Sequence, residues 1–360
     1  MHKKLKLVAI GIAATLLVLT ACGANKTEPK INNEAYSDQQ FLMGTYVKMQ
    51  IFDDGKEAVL KKSFDRVKEL ASKITVNEDD PKSEIDKINQ AAGIKPVEVS
   101  DDIYPLIKKA YQYSEESDEG FDMTIGTITK LWHIGFDDAR KPEQKEIDEA
   151  LKLVHHEKVK LDDKKQTVFL EEEGMELDLG AIAKGYITDE VVDVMKENDV
   201  TTAIIDLGGN VYVLGNSPRK ADGDWKIGVQ DPNQARNTVV GSVTQSNKSL
   251  VTSGIYERNL TVNGETFHHL FDPKTGYPFK NEIAGVTIIS NKSIDGDGLS
   301  TAIFSMGVKE GMAHINTLDD VEAIFVTVDD KIYISKGLEG NFELNKESNY
   351  QLDDIKNVKG

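Results

Sequence analysis

The chain has 360 residues, 39% of them hydrophobic and 29% charged, which is the composition of a soluble globular protein with enough length for a full core. Lys and Arg number 43 against 61 Asp and Glu, a formal charge of -18. That balance excludes a nucleic-acid-binding surface, which needs a clustered basic stripe, and it argues against docking of the folded surface on anionic headgroups.

The N-terminus reads as a targeting segment. Met1–Lys6 is basic, Leu7–Leu19 is an apolar run too short to span a bilayer comfortably, and Leu19-Thr20-Ala21 precedes the chain's single cysteine, Cys22. The pattern resembles a bacterial lipoprotein signal, the alternative being a plain secretory signal with a chance cysteine. Residues 1–21 are then expected to be removed, and Cys22 to carry lipid that anchors the protein outside the cytoplasmic membrane. One cysteine also removes any disulfide framework or cysteine-based metal site. Gly23–Asp38 is polar and aperiodic, so residues 22–38 are expected to be a tether and 39–356 the folded domain.

Phe41–Ile51 predicts a turn followed by an alternating strand. Glu57–Ile74 is an amphipathic helix with Val59, Phe64, Val67, Leu70 and Ala71 on its apolar face. An acidic loop over Asn77–Ser83 leads to a helical turn at Glu84–Asn89, and Ser100-Asp101-Asp102 is expected to cap a helix over Ile103–Ser114. Gly120-Phe121-Asp122-Met123-Thr124-Ile125-Gly126, running to Leu131-Trp132, is unusual for a surface loop; the plain alternative is a buried strand or turn with Trp132 in the core. Pro142–Leu153 predicts a helix with proline in its first turn, and Val159–Leu161 with Thr167–Leu170 a hairpin.

Met175–Leu179 reads as a strand, followed by a small-residue turn and a helix from about Ile182 to Asn198. Lys184 then falls in the first helical turn, where a cation is mildly unfavourable beside the dipole, so it is either solvated or faces a bound anion. The turn carries neither a P-loop nor a dinucleotide fingerprint. Gly208-Gly209 joins two short strands and serves either a close-lying ligand or a tight bend. Strands over Trp225–Val229, Val239–Thr244 and Ser249–Ser253 continue the meander into Phe267–Pro278, which concentrates two adjacent histidines, His268 and His269, an Asp272-Pro273 turn and Thr275-Gly276. After a strand at Ile283–Ser290, Leu299, Ala302, Ile303 and Met306 recur at helical spacing up to Gly307. Asp297 and Thr301 share one face of that helix: a hard oxygen pair suited to Mg²⁺, or merely a cap and a core hydroxyl. Another helix, Glu310–Leu318, and a hairpin over Glu322–Val328 and Lys331–Ser335 close the chain.

Taken together, several segments resemble the ApbE family of flavin transferases. The match is carried by Met43-Gly44-Thr45, Phe121-Asp122, Asp178–Gly185, Leu207-Gly208-Gly209-Asn210, Ser253-Gly254-Ile255-Tyr256, His269–Pro278 and Asp297–Thr301, in the family's order. The resemblance implies a compact α+β domain, possibly of two lobes, with mixed or antiparallel sheets flanked by helices. It implies a Mg²⁺-dependent enzyme that cleaves the pyrophosphate of FAD and moves FMN to a threonine or serine hydroxyl of an exported acceptor protein, releasing AMP. By position, Asp297, Thr301 and the Ala181 carbonyl would hold Mg²⁺. Lys184 would meet the phosphates or adenosine, and Met43, Gly120, Phe121, Asp122, Asp178 and Leu270 would line the nucleotide site. His269 is expected to be the general base for the acceptor hydroxyl, with His268 as a structural partner and Asp272 and Thr275 bracing the loop. The acidic stretch Val76–Asp80 stands where many family members carry an aromatic residue, and Asp206 where asparagine is common. Competing readings are a Mg²⁺-dependent FAD pyrophosphatase and a lipid-anchored flavin-binding protein.

Overall fold

The computed structural model describes residues 29–76, 82–117, 120–219, 223–235 and 238–358; the targeting segment, Cys22 and the acidic residues 77–80 lie outside them. In chain order the N-terminal part comprises β1 (Ile31–Leu42), β2 (Thr45–Asp53), α1 (Glu57–Ile74), α2 (Glu84–Gln90), β3 (Val97–Glu98), α3 (Tyr104–Glu116), α4 (Gly126–Trp132), α5 (Gln144–Leu151), β4 (Val159–Asp162) and β5 (Thr167–Leu170). Next come α6 (Ala183–Glu197), β6 (Ala203–Leu207), β7 (Asn210–Leu214), β8 (Trp225–Gln230), β9 (Val239–Gln245), β10 (Lys248–Gly254), β11 (Asn259–Val262) and β12 (Glu265–His268). The chain finishes with β13 (Ile283–Ser290), α7 (Ser293–Ile315), β14 (Glu322–Thr327), β15 (Lys331–Ile334), β16 (Glu343–Leu344) and β17 (Gln351–Leu352).

Nine strands form the central sheet in the order β1-β2-β6-β7-β10-β13-β14-β15-β17, antiparallel except for the parallel β15–β17 pair. Period-two patterning decides its faces. Val47, Met49 and Ile51 of β2 and Ala203, Ile205 and Leu207 of β6 are fully buried under α1, α6 and α7. The opposite face is covered by the small β16-β9-β8 sheet, through Leu250, Ile289, Ile324 and Val326 and through Phe52, Val213 and Trp225. β13 is therefore buried at every position and reads as an apolar run without alternation. The α+β expectation holds. Among the described residues, no helix is long and apolar enough to cross a membrane.

Several sequence expectations need correction. The first strand begins at Ile31, inside the expected tether, and pairs with β2 from Ile31↔Asp53 to Leu42↔Thr45. As an edge strand it has no fully buried residue, so its sequence lacks an apolar alternation. Ser100 does not cap α3, because its hydroxyl and N–H both bind the Glu84 carboxylate, at 2.8 and 2.7 Å. Met175–Leu179 is not a ladder strand; it makes a single bridge, Glu176 to Ile125. Pro142 lies before α5, whose first turn is closed by a Glu143–Glu146 capping box. Gly307, by contrast, does as expected: at φ 76° it breaks α7 into two helical stretches.

The antiparallel register gathers the motif turns at one end of the sheet. Met43-Gly44 links β1 to β2 and Gly208-Gly209 links β6 to β7; all four residues have positive φ, the geometry of two-residue hairpins. A Cβ on Gly208 would lie 2.1 Å from Thr45 Oγ1, so the two turns pack edge to edge only because Gly208 has no side chain.

Candidate active site

At that end of the sheet, α6 starts against α7. Gly185 permits the approach: a Cβ there would stand 2.3 Å from the Ser293 carbonyl oxygen and 2.7 Å from Asp297 Cβ. Asp189, one turn further along α6, accepts the N–H groups of Ser293 and Ile294 at 2.8 and 3.0 Å and so caps α7. Burial raises its carboxyl to about 6 despite those bonds. Asp297 returns the favour. Only 3% exposed, it accepts the Gly185 N–H at 2.8 Å and the Lys184 ammonium at 3.2 Å, and Lys184 also donates to Asn210 Oδ1 at 2.7 Å. Asp297 thus caps the neighbouring helix, not its own.

Ala181 lies just outside this helix. It precedes the N-cap, Ile182, so its carbonyl has no helical donor, and the Gly185 N–H, one of the unpaired donors of the first turn, is taken by Asp297. One turn beyond Asp297, the Thr301 hydroxyl makes no hydrogen bond among the described residues, and Thr301 is 9% exposed. The Asp297 carboxylate already holds a cation in the form of the Lys184 ammonium. One carboxylate, one hydroxyl and one carbonyl outside the helix are hard oxygen donors, and such a sparse set suits Mg²⁺, which keeps water or phosphate oxygens in its other positions. Among the described residues no group of three His, Cys, Asp or Glu side chains offers a rival metal site.

The two histidines divide their roles. His268 Nε2–H donates to the Phe279 carbonyl at 2.9 Å and its Nδ1 accepts the Leu270 N–H at 3.2 Å, so both nitrogens are committed in the neutral form. Half-buried His269 places Nδ1 3.3 Å from the Arg258 carbonyl. A carbonyl only accepts, so Nδ1 carries the hydrogen and Nε2 keeps its lone pair. Burial first, and then the Arg258 charge, push His269 down to about 3. The ring is neutral in the free protein but a weak base, below the near-neutral value expected from sequence.

The loop after His269 is fixed from two sides. Asp272 accepts the Lys274 N–H at 2.8 Å and the Thr275 hydroxyl at 3.0 Å, as expected of a brace. Trp132, fully buried, donates from Nε1 to the Gly276 carbonyl at 2.9 Å and packs on Phe267 and Phe271.

The remaining candidates build walls. Asp178 accepts the Gly180 N–H at 2.7 Å and the Thr129 hydroxyl at 2.6 Å, which fixes the turn leading to Ala181. The Gly120–Asp122 segment lies alongside, Met123 accepting the Asp178 N–H at 2.9 Å. A Cβ on Gly120 would fall 2.0 Å from Ser305 Oγ of α7. Phe121 and Leu270 are core residues, 3% and 6% exposed, and support the walls from behind. Asp122 accepts Thr124 N–H and Oγ1–H at 2.8 and 2.6 Å, and His156 N–H and Nδ1–H at 3.2 and 2.9 Å. Those four bonds fill a carboxylate's capacity and make Asp122 a brace of the segment expected to line the nucleotide site. Burial works against its charge, but the His156 and Thr124 bonds win and hold it below the ordinary carboxylate range, while Asp122 raises His156. Met43 sits at the tip of the β1–β2 hairpin with φ 53°, a conformation uncommon for a long side chain.

Residues 43–325 match the profile of the ApbE family. The chain belongs to the ApbE family. It is 40% identical over 304 residues to the FAD:protein FMN transferase of Klebsiella pneumoniae, covering 84% of this chain and 93% of the relative. It is 31% identical over 338 residues to that of Treponema pallidum, covering 90% and 93%. The crystal structure of an ApbE protein from Thermotoga maritima superposes with a TM-score of 0.78 at 30% identity, covering 86% of this chain and 99% of that one.

Within this ApbE fold three residues come into view that sequence reading passed over. Asn210, fully buried, orients Lys184; Thr129 holds Asp178; and Arg258 stands beside His269. Asn210 was visible as the residue after Gly-Gly. Thr129 and Arg258 gave no local signal, because their partners lie far away in the chain.

Proposed function

We propose that this protein is an FAD:protein FMN transferase, acting with Mg²⁺ on a threonine or serine hydroxyl of an acceptor protein. The observation that carries the reading is the Lys184–Asp297–Gly185 junction: a charged oxygen site with a lysine in place, at the start of the helix that the Ala181 carbonyl precedes. The named activity of relatives at 40% and 31% identity supports it. FAD is the substrate. Held by Ala181, Asp297 and Thr301, Mg²⁺ would neutralise phosphate charge.

The chain's own residues supply the rest. Lys184, anchored by Asn210, offers an ammonium to the phosphates. Nε2 of His269 receives the proton of the acceptor hydroxyl as that oxygen attacks the FMN phosphorus. The bond from that phosphorus to the bridging oxygen breaks, and AMP leaves with the oxygen and the bonding electron pair. The pyrophosphate near the ring, with one negative charge on each phosphate, offsets the neighbouring cations and raises the basicity of His269 when FAD is bound. The asymmetry suits a base that must stay neutral until substrate arrives.

The targeting segment supports a location outside the cytoplasmic membrane, with Cys22 lipidated and the acceptor exported as well; a membrane-linked redox protein fits that setting. The test is to incubate the soluble domain with FAD, Mg²⁺ and a purified exported acceptor, then measure the intact mass of the acceptor and free AMP. Transfer gives one flavin adduct per AMP. Free FMN and AMP without a mass gain would replace transfer by hydrolysis, and intact FAD throughout would leave only binding.

A further inference from the structure

Arg258 is the cation next to His269 that the reaction described above does not use. It follows β10, in a segment that reaches over the end of the sheet where the motif turns gather. Its side chain threads between two glycines with positive φ. A Cβ on Gly44 (φ 70°) would lie 3.0 Å from its Nη2, and a Cβ on Gly135 (φ 100°) would lie 2.8 Å from its Cδ. Two turns from distant parts of the chain thus make room for one guanidinium.

The guanidinium is exposed, and among the described residues it has no carboxylate partner, although the chain carries 61 Asp and Glu. Lys184, by contrast, is compensated by Asp297 at 3.2 Å. His269 packs against Arg258, its Nδ1 3.3 Å from the Arg258 carbonyl. The uncompensated positive charge beside the imidazole is therefore that of Arg258. A planar fork of N–H donors, solvent-accessible and confined by glycines, matches the oxygens of a phosphate.

We propose that Arg258 is a second anion receptor of the site, binding a phosphate of FAD through its guanidinium while Lys184, and the cation that Asp297 would hold, meet the pyrophosphate from elsewhere in the cleft. The inference rests on FAD being the substrate. It makes Gly44 and Gly135 positioning residues, whose lack of side chains keeps the arginine aimed. It also gives the local electrostatics that an anionic ligand needs on a chain of charge -18.

The test compares wild type with Arg258→Gln and Arg258→Lys, titrating each with FAD and with riboflavin, which carries no phosphate. Arg258→Gln should bind FAD about 10–100-fold more weakly, the usual cost of a charge-assisted contact, and riboflavin unchanged. Arg258→Lys should recover part of the loss. Independently of turnover, the His269 ring titrated by NMR should move to higher pKa in Arg258→Gln. Equal FAD affinity in Arg258→Gln and wild type overturns the proposal, as does an equal loss for FAD and riboflavin, or an unchanged FAD affinity with a raised KM for the acceptor. Failure of the functional reading looks different: the wild-type protein itself would transfer no FMN.

Discussion

Lys184 and Asp297, 113 positions apart, meet at 3.2 Å where the first turn of α6 crosses α7. The contact joins the two helices electrostatically and stands where the lysine and a metal ion would compete for the same carboxylate. On the proposed reading, a cation held by Asp297 and Thr301 would release the lysine to the phosphates.

Replacing Asp297 by Asn tests that reading. The amide keeps an oxygen for the Gly185 N–H but loses the negative charge that holds a cation. We expect Mg²⁺-dependent AMP release to fall by at least about 100-fold, the scale of losing a charge-stabilising group. Circular dichroism should stay unchanged. Wild-type AMP release in a folded Asp297→Asn protein would remove Asp297 from the metal site.

Lys184→Met separates electrostatics from packing. It leaves Asp297, with its side chain 4% exposed, facing the Gly185 N–H alone, and leaves the Asn210 oxygen without its donor. Because the lysine side chain is itself 31% exposed, the expected loss of stability is modest, about 1–2 kcal/mol. Urea unfolding in the absence of FAD measures it. Lys184→Arg should retain most of the stability, and a Met variant as stable as wild type would show that the pair contributes nothing to the fold.

His269 gives a pH dependence of defined sign. Its folded pKa, pushed down to about 3, lies below the ordinary value of about 6.5. Between those values the unfolded chain binds a proton that the folded chain refuses. Stability from this group is therefore complete above about pH 6.5 and is lost as pH falls toward 3. At pH 5, discounting for part exposure of the ring, the loss is about 1 kcal/mol. His269→Gln should flatten that part of the profile when unfolding is compared at pH 7.5 and 5. Parallel profiles for the two proteins would show an unperturbed imidazole.

How far the sequence reaches depends on the range of each interaction. Hairpin turns, the Asp272 brace and the α6 and α7 helices are written locally, in glycines, Asx pairs and helical spacing, and they appear where expected. Ser100 has the local pattern of a cap, yet Glu84, 16 positions earlier, captures it. Edge strand β1 carries no apolar alternation because little of it is buried. The deepest features of the site are long-range: Asp297 capping α6, Asp297 pairing with Lys184, and Arg258 lying between Gly44 and Gly135. No window along the chain contains both halves of those contacts. The low proton affinity of His269 is likewise set by burial and by cations brought in by folding.

Gly185→Ala tests whether the α6–α7 approach builds the site. In an exposed helix alanine is the better residue, by about 1 kcal/mol. Here its methyl would stand 2.3 Å from the Ser293 carbonyl oxygen, 2.7 Å from Ile294 Cα and 2.7 Å from Asp297 Cβ. None of these atoms is the far end of a flexible side chain, so the strain is relieved only by parting the helices. Parting them lengthens the bond from the residue 185 N–H to Asp297 and draws that carboxylate away from Ala181, and so separates two of the three proposed metal oxygens with one methyl. The expected result is a destabilisation of about 1–3 kcal/mol, against the helix-propensity trend, with a larger proportional loss in Mg²⁺-dependent AMP release. Thermal melting and an AMP assay over a Mg²⁺ titration measure the two effects. Raising Mg²⁺ should restore part of the activity in Gly185→Ala but none in Asp297→Asn, because only the first retains the carboxylate. A Gly185→Ala protein that melts at or above the wild-type temperature with full activity would mean that the helices have room to spare, and that the Asp297 cap does not depend on their close approach.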